Sequence, residues 1–243
     1  MSLGVTTMSL SKLGYAAVAV SLISLGACAT TAQIDDLESD GFLTDEVYSK
    51  LEPTNDVNRA GLGYLNTDMD ISRHNKVLID PVVSFVGEDA GDLSAEDSQT
   101  LVNNFQLLLV NELSKDYELV AAPGPNTLRF QIAIVRATKS SVALDTISTI
   151  VPVGVVATKL ASYVTGEPSF TGQLKIEFEI RDAHTRELFG AGIDSRAGGK
   201  VLNEDQLSAW ADVNKIMRLY AEAMRYQLCL ARGAADCKRP VFR

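Results

Sequence analysis

The sequence predicts an α+β domain, a mostly antiparallel sheet with helices packed on one face. Apolar and polar residues alternate strictly over 172–182, and a second strand-like stretch at 188–196 follows after a short turn, which is typical of an antiparallel hairpin. Apolar residues recur every three or four positions over 207–228, which indicates an amphipathic helix. Strands and helices in this order indicate an α+β layer with the helices on one face of the sheet.

The first predicted strand runs from Lys76 to Val86. Pro81 cannot donate a ladder hydrogen bond, so this strand should lie at an edge or carry a bulge. Ser94 and Asp97 have the spacing of a helix cap, and an apolar stripe follows them. The remaining elements predicted, in order, are a short strand at 117–120, a long strand at 127–137, the hairpin, and a last helix capped near Asn203.

The first hairpin strand has two distinct faces. The residues predicted to face the core are Leu174, Ile176, Phe178 and Ile180, and those predicted to face water are Lys175, Glu177, Glu179 and Arg181. In the second hairpin strand, Gly190 and Gly192 predict a bulge or a close approach of another backbone.

The stretch from Leu144 to Val164 is apolar on most sides and is interrupted by Pro152 and Gly154. One interpretation is a buried helix kinked at Pro152, since an interior proline costs a helix ~3 kcal/mol. The other is a partner-binding or membrane-surface face. The residues that would form this face are Ile150, Val151, Val153, Val155 and Val156.

The chain begins with features of a secretory signal. Lys12 precedes a short apolar run that ends in Leu25-Gly26-Ala27-Cys28, and the run is shorter than the ~20 residues a membrane-spanning helix needs. The Leu-Gly-Ala-Cys order resembles the bacterial lipobox, which implies cleavage after Ala27 and lipidation of Cys28. Ala29 and Thr30 follow without an aspartate, which by the same resemblance implies a periplasm-facing protein at the outer membrane.

This segmentation predicts four regions. Residues 1–27 would be the signal peptide, 28–40 the lipidated cysteine and a flexible tether, 41–232 a single periplasmic α+β domain, and 233–243 a loose basic tail. Net charge is −9, and the signal segment contains one charged residue, Lys12, so the remainder carries −10. Such a negative body argues against nucleic acid and against a polybasic contact with membranes.

Cys229 and Cys237 are the cysteines left after Cys28. An even pair in an oxidising compartment indicates a disulfide, and Gly233 could turn the chain back between them. The alternative is a buried Cys229 and a free Cys237.

The residues give no recognisable catalytic, cofactor or metal site. Asp182, His184 and Ser195 are the only conceivable hydrolase set, and His184 lies in a turn where polar residues are expected anyway. His74 has no second histidine or cysteine near it in the sequence, so a metal site is not predicted. Gly198-Gly199-Lys200 lacks the spacing of a phosphate-binding loop and favours a tight turn.

Several motifs together resemble one known family. They are Gly41-Phe42-Leu43, 48–53 (YSKLEP), 76–82 (KVLIDPV), 144–152 (LDTISTIVP) and Gly198-Gly199-Lys200. This set resembles the Gram-negative lipoprotein family of the domain of unknown function 3313, over about Gly41 to Ala231. The resemblance implies a class and a location, with no activity and no functional residues.

The resulting expectation is a lipid-anchored envelope lipoprotein with a non-catalytic binding or scaffold domain. It would be held to the membrane by its N-terminal lipid and would contact an envelope protein or a cell-wall partner. The alternative is an envelope hydrolase with an unrecognised active site.

Overall fold

The computed structural model describes residues 31–86, 93–139, 172–198 and 210–240. Their helices are α1 (Asp45–Tyr48), α2 (Ala95–Leu113) and α3 (Ala211–Ala231). Their strands are β1 (Ala32–Gln33), β2 (Glu52–Pro53), β3 (Leu62–Leu65), β4 (Lys76–Ile79), β5 (Val83–Ser84), β6 (Glu118–Leu119), β7 (Thr127–Thr138), β8 (Gln173–Asp182) and β9 (Leu188–Ala197).

These nine strands form one sheet with the order β2-β3-β9-β8-β7-β4-β6, while β1 extends along β9 and β5 along β7. The hairpin β8–β9 and its neighbours β7 and β3 are antiparallel, as predicted. β4, β5 and β6 add parallel pairings, so the sheet is mixed. The predicted strand from Lys76 to Val86 is split into β4 and β5 around Pro81, which is consistent with the missing ladder donor.

The two long helices cover one face of the sheet. Ser94 caps α2, its Oγ accepting the backbone N–H of Asp97 at 3.1 Å. Phe105 of α2 and Tyr220 of α3 pack against each other, and both are buried with Ile176 and Leu174 of β8 in the main core. The apolar alternation of β8 and the helical stripes therefore meet as predicted.

The prediction of a solvent-exposed second face on β8 is wrong. Lys175 is 1% exposed and Glu177 is fully buried, because residues 36–48 lie across this face. The short helix α1 packs there too, through Val47 against Leu188. Of the described helices, only α2 and α3 therefore pack on the same face of the sheet.

The prediction of a flexible tether is wrong for residues 31–40. β1 pairs with the end of β9, Thr31 is buried, and Asp36 and Asp40 bind Lys175. The domain thus begins before residue 41, because backbone pairing and ion pairs fix this segment.

The prediction of a loose tail is wrong for residues 233–240. A disulfide joins Cys229 near the end of α3 to Cys237, with Cα atoms 5.6 Å apart. Gly233 turns the chain with φ +70, and Pro240 is buried. The crosslink and this turn fold the tail back beside α3.

Candidate functional site

A largely apolar cavity lies between the C-terminal half of α3 and strands β3, β8 and β9. Its volume is about 90 Å³. Its apolar walls include Ile176, Phe178, Ile180, Phe189, Met224 and Leu228, and its polar lining includes Asn58, Arg59, Asp194, Arg196, Tyr220 and Gln227. A concave apolar site with a few polar groups is the usual form of a ligand pocket.

A close contact between β9 and β3 shapes one wall of the cavity. A Cβ added at Gly192 would lie 2.8 Å from Ala60 Cβ and from the Leu62 carbonyl oxygen. Gly192 therefore lets the two backbones approach, as predicted from the glycine pair, and a register shift opposite Gly190 supplies the predicted bulge.

A buried ion pair lies on the helix-facing side of β9. Arg196 Nε donates to Asp194 Oδ2 at 2.7 Å, and both side chains are at most 3% exposed. Gln33 Nε2 and the Gly61 N–H donate to Asp194 Oδ1 at 2.6 and 3.1 Å. Burial raises the pKa of the Asp194 carboxyl, although Arg196 opposes the rise.

Tyr220 connects α3 to this ion pair. Its hydroxyl donates to the Asp194 carbonyl at 3.2 Å, and the Arg196 guanidinium lies 5.6 Å from the centre of its ring. Burial raises the pKa of the Tyr220 phenol well above its ordinary value, so the hydroxyl remains a donor. The polar side of the cavity is therefore a fixed network that involves β1, β9 and α3.

The opposite face of the sheet holds a second polar network. Lys175 Nζ binds Asp40 Oδ2 at 2.6 Å, Asp36 Oδ1 at 3.3 Å and the Glu38 carbonyl at 2.7 Å. The contacts to Asp36 and Glu38 are hydrogen bonds and the contact to Asp40 is an ion pair, and all three partners belong to the N-terminal segment, residues 36–48.

Glu177, next to Lys175 on the same face, binds backbone rather than cations. It accepts the N–H groups of Asp40 and Phe42 at 2.7 and 3.1 Å and the Tyr48 hydroxyl at 2.6 Å. Burial, followed by this hydrogen bond to Glu177, raises the pKa of Tyr48 to about 12. This network fastens residues 36–48 to the sheet and leaves little room for a ligand.

The conceivable hydrolase set does not come together. Asp182 Oδ2 binds His74 Nε2 at 2.7 Å, and Asp182 Oδ1 accepts the backbone N–H of His184 at 2.8 Å. Ser195 is opposite Lys175, at the other end of the β8–β9 ladder from Asp182, which is about 20 Å away at ~3.3 Å per residue. Asp182 therefore stabilises the hairpin turn and holds His74.

The other sequence-predicted residues are placed as follows. Ala27 and Cys28 lie outside the described residues, as do Ile150, Val151, Val153, Val155 and Val156, so lipidation and the partner face stay predictions. Cys229 and Cys237 form the disulfide beside a second depression of about 320 Å³.

Two absences hold for the part of the chain that the structure describes. No group of three His, Cys, Asp or Glu side chains there is arranged to hold a metal ion. None of the helices there is long and apolar enough to span a membrane.

Sequence reasoning missed the polar residues of the cavity. Asp194 and Arg196 follow Gly190 and Gly192 on one face of β9, a pattern that gives no sign of burial. Asp194 and Arg196 are two positions apart in a strand, which places them on one face. This spacing is the sequence feature that could have predicted that they lie together. Asn58 lies in a loop segment, where no periodicity could mark it.

The chain belongs to the family described as "Protein of unknown function (DUF3313)", whose model matches residues 38–224. This confirms the family resemblance inferred from the motifs. No curated protein matches the chain.

Among solved structures, the chain is similar to a single-substitution variant of the PelC dodecamer from Paraburkholderia phytofirmans, with 12% identity over 72% of this chain and 96% of that one, at a TM-score of 0.37. It is also similar to protein XCC0632 of Xanthomonas campestris, of family DUF330, with 8% identity, 65% and 85% coverage, and a TM-score of 0.37. A putative neuraminyllactose-binding hemagglutinin homolog from Helicobacter pylori shows 10% identity, 77% and 92% coverage, and a TM-score of 0.30. At these scores the likeness carries no argument about function.

Proposed function

We propose that the protein is an envelope lipoprotein, anchored to the outer membrane through Cys28, whose domain binds a ligand without catalysing a reaction. The lipobox-like stretch before Cys28 and the residues after it support the anchor and the location. The cavity beside α3 supports the binding role, and it is the observation that carries the proposal.

The lining of the cavity supports binding rather than reaction. Its walls are mostly apolar, and the carboxylate in its lining, Asp194, already accepts hydrogen bonds from Arg196, Gln33 and Gly61. A carboxylate with its oxygens engaged in this way is a poor proton acceptor for a substrate. The polar network instead fixes the shape of the wall.

The size of the cavity limits what enters it. A cavity of about 90 Å³ is smaller than the ~150 Å³ engineered cavity that takes up benzene, and far below the ~300–1,000 Å³ of pockets for drug-sized molecules. The ligand, or the part of it that enters, therefore has only a few heavy atoms.

Methionine methyl groups provide a direct test of binding. After Cys28 the chain has three methionines, Met69, Met217 and Met224, and of these Met224 lines the cavity. In mature protein labelled with ¹³C-methyl methionine, isobutanol should shift the Met224 resonance in a saturable manner and leave that of Met69 in place.

Two alanines of α3 give a matched pair of variants. Ala223 lines the cavity, whereas Ala231 is exposed at the end of the same helix. Ala223→Phe should fill the cavity and abolish the Met224 shift, and Ala231→Phe should leave it intact. A Met224 that ignores isobutanol, or an unchanged response in Ala223→Phe, would remove the support for a binding domain at this site.

A further inference from the structure

Asn58 belongs to the lining of the cavity, and its side chain carries a buried hydrogen-bond acceptor. Asn58 is 2% exposed, and its Oδ1 has no hydrogen-bond partner among the described residues. A buried polar atom in this state costs about 1–3 kcal/mol until a donor satisfies it.

The orientation of the Asn58 amide is fixed by its neighbours. Its Nδ2 and its backbone N–H both donate to Asp56 Oδ1, at 2.8 and 2.9 Å, and its carbonyl accepts Gln227 Nε2 at 3.2 Å. The backbone N–H of Asn58 holds the pKa of Asp56 below its usual range, so Asp56 is an acceptor at neutral pH. Flipping the amide would set its oxygen against this carboxylate, so Oδ1 is the atom left to bind a donor.

The charges around the cavity favour a neutral ligand. Asp194 and Arg196 already neutralise each other at 2.7 Å, and the half-buried Arg59 of the lining interacts electrostatically with Asp56. A cationic ligand would lose its hydration without gaining a free carboxylate in the lining, and burial of such a charge is costly. A carboxylate would in addition bring no donor to the amide oxygen of Asn58.

We propose that the cavity takes a small neutral aliphatic group bearing a hydroxyl or amide N–H, which donates a hydrogen bond to Asn58 Oδ1 while its carbon atoms contact Ile176 and Met224. This inference rests on the proposed binding function and adds the chemical class of the ligand.

Two isomeric probe molecules test whether the ligand must donate a hydrogen bond. Isobutanol and diethyl ether have the same formula, but only the alcohol can donate a hydrogen bond. In the ¹³C-methyl titration of Met224, isobutanol should bind about tenfold more tightly than the ether, the value of one hydrogen bond to a buried acceptor. Isobutylammonium, which carries a charge, should bind more weakly than isobutanol.

The same assay separates failure of this inference from failure of the proposed function. Equal binding of alcohol and ether would overturn the donor requirement and leave a purely apolar site. Tighter binding of isobutylammonium would overturn the neutrality of the ligand. A Met224 that responds to none of the three probes would overturn both.

A longer alcohol distinguishes a free small molecule from the end of a larger one. 1-Octanol extends beyond a cavity of this size, so its binding at least as tightly as isobutanol indicates the end of a larger molecule. Weaker binding indicates a small molecule enclosed whole. Either result is compatible with the donor requirement.

An amide-to-methyl substitution tests the role of Asn58 itself. Asn58→Leu keeps the shape and removes the acceptor, so isobutanol should lose its tenfold advantage while the ether still binds. Asn103→Leu, at an exposed position of α2, should retain the advantage. A preserved advantage in Asn58→Leu would contradict the assignment. If Asn58→Leu does not fold, the isomer comparison on the unmodified chain still decides.

Discussion

Two charged residues of opposite sign, Lys175 and Glu177, lie next to each other on the same buried face of β8. Lys175 binds two carboxylates and a carbonyl of residues 36–40. Glu177 accepts hydrogen bonds from backbone N–H groups and a phenol of residues 40–48. Each is buried with complementary partners, which offsets the cost of removing the charge from water. The N-terminal segment is therefore held to β8 first by the cation Lys175 and then by the anion Glu177.

Removing the ammonium of Lys175 should destabilise the domain. Lys175→Met leaves Asp36 and Asp40 facing each other without their shared cation, so the free energy of unfolding should fall by about 2–3 kcal/mol. Lys50→Met removes an exposed ion pair with Glu46 and should cost less than ~1 kcal/mol. Equal losses in urea unfolding would contradict the buried role of Lys175.

The raised pKa of Tyr48 predicts a loss of stability at alkaline pH. Its pKa is raised from 10.0 to about 12, first by burial and then by the Glu177 hydrogen bond. The unfolded chain loses the phenolic proton first, so the contribution of Tyr48 is complete below pH 10 and is lost as pH rises towards about 12. Above about pH 10, the urea midpoint of Tyr48→Phe should fall less steeply with pH than the urea midpoint of the unmodified chain. Parallel curves for Tyr48→Phe would refute this contribution.

Strand β9 is the element that joins the two sides of the molecule. Its helix-facing residues Asp194 and Arg196 line the cavity, and Ile193 faces the other side with Glu177. β1 and β3 both pair with its outer edge, one after the other. The N-terminal segment and the cavity wall are thus parts of one ladder.

The close packing of β9 against β3 should not tolerate a side chain at Gly192. Gly192→Ala places a methyl group 2.8 Å from the Leu62 carbonyl and 3.0 Å from the Phe178 ring, so the backbones must separate at a cost of about 1–3 kcal/mol. Gly124→Ala meets no heavy atom within 4 Å and should leave stability unchanged or raise it by up to ~1 kcal/mol. The difference in melting temperature between the two variants is the measurement, and similar values would argue against the close contact.

The periodicity of the sequence predicted which strands and helices form better than it predicted what packs against them. The ten residues of β8 alternate cleanly enough to reveal the strand and its core face, and the turn that follows indicates its hairpin pairing with β9. The same alternation cannot reveal whether Lys175 faces water or a carboxylate, because the partners Asp36 and Asp40 are far away in sequence. Asn58 shows the same limit, since its burial depends on Gln227 at the far end of the chain.

At the scale of the whole molecule, the family is established and the anchor is a prediction. The DUF3313 match covers residues 38–224, which excludes Cys28 and the predicted signal segment. Sequence patterns could therefore define the domain, whereas attachment to a membrane depends on a processing event that the fold does not record.

Lipidation at Cys28 has a direct test. Cys28→Ala should abolish incorporation of labelled palmitate and leave the signal segment attached, because Cys28 is the predicted acceptor. The variant should remain at the inner membrane in fractionated cells. Normal label uptake and normal processing in this variant would show that the lipobox interpretation is wrong.

Burial of Thr31 sets how far such an anchored domain could stand from the bilayer. Only Ala29 and Thr30 separate Cys28 from Thr31 and the start of β1. Fully extended chain covers at most ~3.6 Å per residue, so a lipid on Cys28 would keep Thr31 within ~11 Å of the modified cysteine. The domain could then turn about its attachment point and diffuse in the plane of the membrane, but it could not reach across the periplasm. Its ligand or partner would have to come to the lipid surface to be bound.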